Sequence, residues 1–263
     1  MLEYSFMQYA FIAGTLIAIT CGIISFFVVL RKNIFAAHGL GHISLTGASG
    51  AILIGFSAMS GQLITNLLAG LIMGFLDEKI NKNDLAAGIV LTFFLGIGAY
   101  FLFLYQNGYA GSIMSILFGN ILAVSEIQIL LLTIISIIVV LVIVIISRPL
   151  FYHSLDPILA EAQKISSRIL SIIFFLILSL TVTMACQIIG ALLIFSLLIG
   201  PGAIAFQHCD GFYSSIFLSI FIAITATWGA LVLAFYIDLP ASFCITIIIC
   251  SLYLLGLIKK WIS

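Results

Sequence analysis

The chain has 263 residues, of which 64% are hydrophobic and only 7% charged. A soluble domain carries about 25% charged residues, and the mean hydropathy here is +1.38. This composition excludes a soluble protein, a nucleic-acid binder, a secreted disulfide scaffold and a disordered tail. It identifies an all-α polytopic membrane protein with zero formal net charge.

The charged residues map the topology. Stretches 4–30, 33–76, 85–125, 127–147, 169–209, 211–237 and 239–258 contain no Asp, Glu, Lys or Arg. One crossing needs about 20 residues, so the shorter stretches hold one span and the longer ones two. This predicts nine spans near 7–30, 38–59, 62–76, 85–105, 127–147, 168–187, 188–207, 212–236 and 241–260, or eight if 169–209 crosses once. The basic groups Arg31–Lys32, Lys79/Lys82, Arg148/Lys164/Arg168 and Lys259–Lys260 then all fall on one side. Positive residues favour the cytoplasm, which puts the N-terminus outside and the C-terminus inside. Residues 1–263 read as a single transmembrane domain. The runs lack the alternation of a β-barrel. With the first basic residue at Arg31, no cleaved signal peptide is expected.

In chain order, the second span carries the main chemistry. In His38-Gly-Leu-Gly-His42 two imidazoles lie four residues apart, on one face of a helix. Neutral imidazole is a common ligand of zinc and of other transition ions. With the helix starting near Ile34, His42 lies about 12 Å in, at about 1.5 Å per residue. Ionisable residues at such depth mark pathways, although two neutral histidines bonded to neighbouring backbone remain the alternative. Small residues from Gly39 to Gly50, and Gly70 with Gly74 in the third span, allow close helix contacts. Residues 106–125 form an external loop rich in Gly and Ser that contains the short apolar piece Ile113–Leu117.

The segment 148–168 holds five charges and two prolines on the cytoplasmic side. Asp156 before Pro157 makes an N-cap and first helical residue, so a short helix is expected there. It reads either as a surface helix on the headgroups or as a docking helix for a cytoplasmic partner. Further on, Gly190 opens a run that ends at Gly200-Pro201-Gly202. That pattern is either a broken helix beside a pathway or a kink absorbed by neighbours. Asp238 precedes Leu239-Pro240, where it either caps the last helix or draws a cation to a pore mouth. Cys21, Cys186, Cys209, Cys244 and Cys250 contain no CxxC spacing and read as packing residues. The chain has no GxxxxGK[ST], HExxH, GxSxG or GxGxxG, so neither a nucleotide site nor a catalytic set is visible.

Four segments resemble the membrane permease subunit of bacterial ABC importers for zinc, manganese and iron. The first is Arg31-Lys32 followed by Phe35-Ala-Ala-His38-Gly-Leu-Gly-His42-Ile-Ser44-Leu, similar to the family's basic pair and F-G-D-x-L-x-H-A-x-L. The second is Leu117-Phe118-Gly119-Asn120-Ile-Leu122. The third runs from Ile189-Gly190 to Gly200-Pro201-Gly-Ala203, and the fourth from Phe235-Tyr236-Ile-Asp238 to Leu-Pro240-Ala-Ser242. Together they span nearly the whole chain in the family's order. The resemblance implies a type II ABC-importer fold in the bacterial plasma membrane, with a homodimer enclosing the pathway. It also implies a separate cytoplasmic ATPase subunit and an extracytoplasmic metal-binding protein. Segment 148–168 then corresponds to the coupling helix, with Asp156, Pro157, Ala160 and Glu161 at the ATPase contact.

The chain departs from the family pattern at several points. His38 stands where the family has Asp, and Lys164 where a Gly follows the Asp-x-x-x-Ala of the coupling segment. Gln207, His208 and Cys209 replace basic residues. Two imidazoles favour zinc over manganese or iron as the cargo, with no permanently bound cofactor. His38 and His42 are the expected metal ligands; Asp238, Gly190 and Pro201 are the expected pathway residues. The competing readings are a manganese or iron permease, an intramembrane metal-dependent enzyme and a non-transporting assembly protein.

Overall fold

The computed structural model describes residues 3–80, 83–104, 117–155, 166–191, 193–237 and 239–262. Among these residues it is an all-helical bundle of nine α-helices: α1 (Ser5–Leu30), α2 (Ile34–Leu53), α3 (Ala58–Ile80), α4 (Asn83–Leu104), α5 (Glu126–Leu155), α6 (Ser167–Ile189), α7 (Ile194–His208), α8 (Phe212–Ile237) and α9 (Ala241–Ile262). A 3-10 turn at Ile121–Ala123 precedes α5. Seven of the helices are long and apolar enough to cross a membrane. The other two are α2, diluted by glycine, serine and the two histidines, and α7, which at 15 residues is only about 22 Å long at 1.5 Å per residue.

The helix order agrees with the charge gaps, but several boundaries move: α3 covers Ala58–Ile80 where 62–76 was expected, and α5, expected to end at 147, runs through Arg148 and Pro149 to Leu155. The second span was expected over 38–59, whereas α2 covers Ile34–Leu53. It stops before Gly55, whose φ of +80° turns the chain, and Ser57 then accepts a hydrogen bond from the Ser60 N–H at the start of α3. The seventh span was expected over 188–207, but α6 ends at Gly190 and α7 begins only at Ile194. At α5 the turn is a capping box: the Ser125 N–H donates to Gln128 Oε1 at 2.9 Å, and the Gln128 N–H donates to Ser125 Oγ at 3.4 Å.

The core forms where α1 and α6 run through the middle, both lined with buried side chains. Helix α3 lies between α2 and α6, and α1 lies against α7 and α8. The α3–α6 contact is antiparallel and built on small and polar residues. Gly70 and Gly74 of α3 press against the α6 backbone at Phe175 and Ile172, which gives that GxxxG a packing role. One turn earlier on α3, the fully buried Asn66 donates to Ser44 Oγ of α2 at 2.6 Å and to Thr183 Oγ1 of α6 at 2.9 Å.

Arg31, just past α1, closes the other end of this seam. It meets Asp77 of α3 at 3.2 Å and Ser171 of α6 at 2.8 Å, and its guanidinium lies 5.2 Å from the Phe174 ring centroid. Ser171 in turn donates to Asp77 at 2.7 Å, and His153 of α5 stands 3.4 Å from the same guanidinium. Burial draws the Arg31 pKa down from its ordinary value, and the Asp77 carboxylate opposes that shift. From sequence, Arg31 reads as a topology marker and as part of a basic pair; in the folded chain it forms a buried ion pair that joins four helices.

Candidate functional site: the histidine pair of α2

Helix α2 places His38 and His42 one turn apart, both half-buried. Their Nε2 atoms are 3.1 Å apart and the rings are nearly perpendicular, with an interplanar angle of 86°. Phe195 of α7 lies edge-on to His38 with centroids 4.6 Å apart. Two nitrogens bound to one ion at about 2.05 Å stand about 3.3 Å apart in a tetrahedron and about 2.9 Å apart across a right angle. The observed spacing lies between these values, so the pair fits a shared ion without selecting its geometry. Among the described residues no group of three or more His, Cys, Asp and Glu side chains comes together. One chain thus supplies two imidazoles.

The break between α6 and α7 borders this pair. Gly190 has a φ of +98° and sits against Gly119, whose φ is +68°; a Cβ on either would collide with the other's backbone. Beyond the break, a Cβ at Gly41 would stand 3.1 Å from the Ala191 carbonyl oxygen. An unwound stretch of backbone therefore abuts α2 at the residue next to His42. Pro201, by contrast, lies inside α7 and is buried. The helix runs through Gly200-Pro201-Gly202 without breaking, which fits the second of the two readings of that proline; the interruption lies ten residues earlier, at Gly190. A neighbour absorbs the disturbance at the proline: the Gly202 N–H donates to Ser25 Oγ of α1 at 2.8 Å.

A cleft of about 770 Å³ opens beside the pair, lined in part by Ile34, Phe195, Ser196, Gly200, Gln207 and Thr246. Its walls come from α1, α2, α7 and α9, and Phe195, which lines it, packs on His38. Asp238, and Asp156, Pro157, Ala160 and Glu161, expected at an ATPase contact, lie outside the described residues. His153 and His208 have partners within the bundle: His153 at Arg31, and His208 at the Ile204 carbonyl of its own helix, 3.0 Å away.

Sequence reasoning missed the uncharged polar residues of α3 and α6. Gln62 and Asn66 recur every four residues on α3, and Ser179, Thr183 and Gln187 do so on α6. That shared spacing inside two apolar spans was the available signal.

The model of the ABC 3 transport family matches residues 3–260. The chain belongs to this family. It is 32% identical over 207 residues to the manganese transport system membrane protein MntC of Halalkalibacterium halodurans, covering 78% of this chain and 70% of that protein. It is 26% identical over 257 residues to a probable iron transport system membrane protein of Haemophilus influenzae, covering 97% and 94%. The fold matches PsaBC from Streptococcus pneumoniae with a TM-score of 0.83 and 27% identity, over 97% of this chain and 92% of that one. A putative metal-chelate type ABC transporter in an inward-facing conformation shares the fold, with a TM-score of 0.71 at 17% identity over 94% and 85%. The chain is therefore a multi-pass metal permease of the ABC type.

Proposed function

We propose that this chain is the membrane subunit of an ATP-driven importer that moves a divalent first-row metal ion across the bacterial plasma membrane by alternating access, with manganese ahead of zinc. The observation that carries the reading is the His38–His42 pair, two imidazole nitrogens 3.1 Å apart on α2, packed on Phe195 of an open cleft. Such ionisable groups inside a membrane mark ion pathways. Two nitrogens are half of a coordination set, and a second copy of the chain across a dimer axis would complete it. The break at Gly190 adds backbone carbonyls near the pair, a common transporter device.

The two imidazoles alone favour zinc. The names of the relatives support manganese or iron instead, and the nitrogen spacing is neutral between them. The rest of the assembly follows from the family: a cytoplasmic ATPase docked on 148–168 through Asp156, Pro157, Ala160 and Glu161, and an extracytoplasmic metal-binding protein at the other face. The basic groups put the N-terminus outside and the C-terminus inside. Asp238, before the last helix, is placed by the same reading at the outer mouth. The test is uptake of labelled manganese in metal-starved cells carrying the chain and its ATPase, with zinc and iron as competitors. Manganese uptake resistant to excess zinc supports manganese as the preferred cargo. Uptake abolished by equimolar zinc reverses that preference, and uptake of none of the three removes the importer reading.

A further inference from the structure

We propose a second, transient cation site at the end of the bundle opposite Arg31: an amide-lined cavity that takes a divalent cation with most of its water shell. It rests on the importer reading for the identity of the arriving ion. The cavity measures about 170 Å³ and is lined by Gln62, Asn120, Gln128, Gln187, Ala58 and Val124, among others. It lies at the start of α3, the end of α6 and the start of α5, about 22 Å along α3 from Asp77 at 1.5 Å per residue.

Two features point to a guest. Gln62 is 1% exposed and lines the cavity; its Oε1 is turned into the protein with no hydrogen-bond partner among the described residues, so rotating the carboxamide to present that oxygen to the cavity gives up no hydrogen bond. A buried carbonyl in a membrane helix normally finds a donor or a ligand. Gln187 and Asn120 also line the cavity, and neither side chain is hydrogen-bonded to another described residue. Three carboxamides, Gln62 buried, Gln187 half-buried and Asn120 exposed, thus border a common space without a hydrogen bond between them. Gln128 is used differently: its Oε1 accepts from the Ser125 N–H and hydroxyl, which fixes the rim of the cavity at the start of α5.

The donor chemistry then defines the class of ligand. Amide oxygens are hard, neutral donors suited to manganese, magnesium and calcium, unlike the imidazoles of His38 and His42. At about 30 Å³ per water, the space holds a small cation with several of its waters. Without a carboxylate in its lining the site binds weakly, as a transit station requires. Its selectivity also complements that of the histidines. Oxygen donors at the mouth favour a hard ion before any imidazole is reached.

The experiment uses the full chain in nanodiscs with His38→Ala and His42→Ala together, titrated with manganese(II) and followed by electron paramagnetic resonance. The expected result is residual bound manganese with no nitrogen coupling in its spectrum. Adding Gln62→Leu or Gln187→Leu should weaken that binding by roughly tenfold. Gln62→Glu keeps the volume and polarity and should strengthen it, which guards against a misfolded Leu variant. No retained manganese, retention indifferent to both glutamines, or nitrogen coupling would each overturn the site; a cavity holding only water gives the first of these results. If the unaltered chain imports no metal while the glutamine dependence holds, the importer reading falls and this site stands. If import proceeds but the glutamine dependence is absent, the reverse follows.

Discussion

Gly119 and Gly190 meet backbone to backbone across the end of α6, each with a positive φ. The contact joins the turn before α5 to the break before α7, two segments 71 residues apart (190 minus 119). It also sets where Ala191 abuts α2 beside His42. Replacing Gly190 by Ala should cost about 1–3 kcal/mol for the backbone alone, because φ +98° with ψ 150° is a region essentially confined to glycine, with the collision against Phe118 and Gly119 added. The thermal midpoint in detergent should fall and transport with it. An unchanged midpoint in Gly190→Ala would contradict the junction.

The Arg31–Asp77 pair makes a separate prediction about stability. Both side chains are over 90% buried, so Asp77→Asn leaves a cation inside the bundle without its countercharge. Breaking such a pair costs about 3–5 kcal/mol, read as a lower unfolding midpoint or as loss of folded protein. The double replacement Arg31→Met with Asp77→Leu should recover much of that loss, because the burial penalty of both charges disappears. A double variant no better than Asp77→Asn would show that Ser171, Phe174 and His153 depend on the cation itself.

Asn66 is the hub of the polar seam, and its effect should be smaller. Interhelical hydrogen bonds in membranes average about 0.6 kcal/mol. Ser44→Ala and Thr183→Ala should therefore each shift the unfolding midpoint only slightly, and Asn66→Ala should cost more than either, since it removes both bonds and leaves a void. Equal effects from all three would mean that Asn66 does not bridge α2 and α6.

Much of this architecture was legible in the sequence, for identifiable reasons. Charges are excluded from lipid, so the gaps between Arg31, Asp77, Glu126 and Arg148 set out the order of the helices. Helical periodicity alone brings His38 and His42 together. The break was harder to place, because Pro201 is the stronger local signal while the deciding event is the contact of Gly190 with Gly119. Pairings such as Arg31–Asp77, 46 residues apart, and Asn66–Thr183, 117 apart, arise from tertiary packing, and no local spacing encodes them. Asp238 and Asp156–Glu161 lie outside the described residues, and their roles rest on the family pattern.

His38 occupies the position where the family pattern has Asp. If both residue types serve one ion, His38→Asp should retain transport and move preference toward manganese over zinc, because a carboxylate is the harder donor. Competition uptake assays read this as a several-fold change in the zinc concentration that halves manganese entry. No change in that concentration would place His38 outside the coordination of the ion.

The central claim is that metal passes by the α2 histidines. The direct measurement is ATP-dependent uptake of labelled manganese into proteoliposomes containing the chain and its ATPase, with the unaltered chain and His42→Ala compared at equal protein and equal ATP hydrolysis. The account predicts accumulation with the unaltered chain and near-complete loss with His42→Ala. Equal accumulation by the two would contradict it.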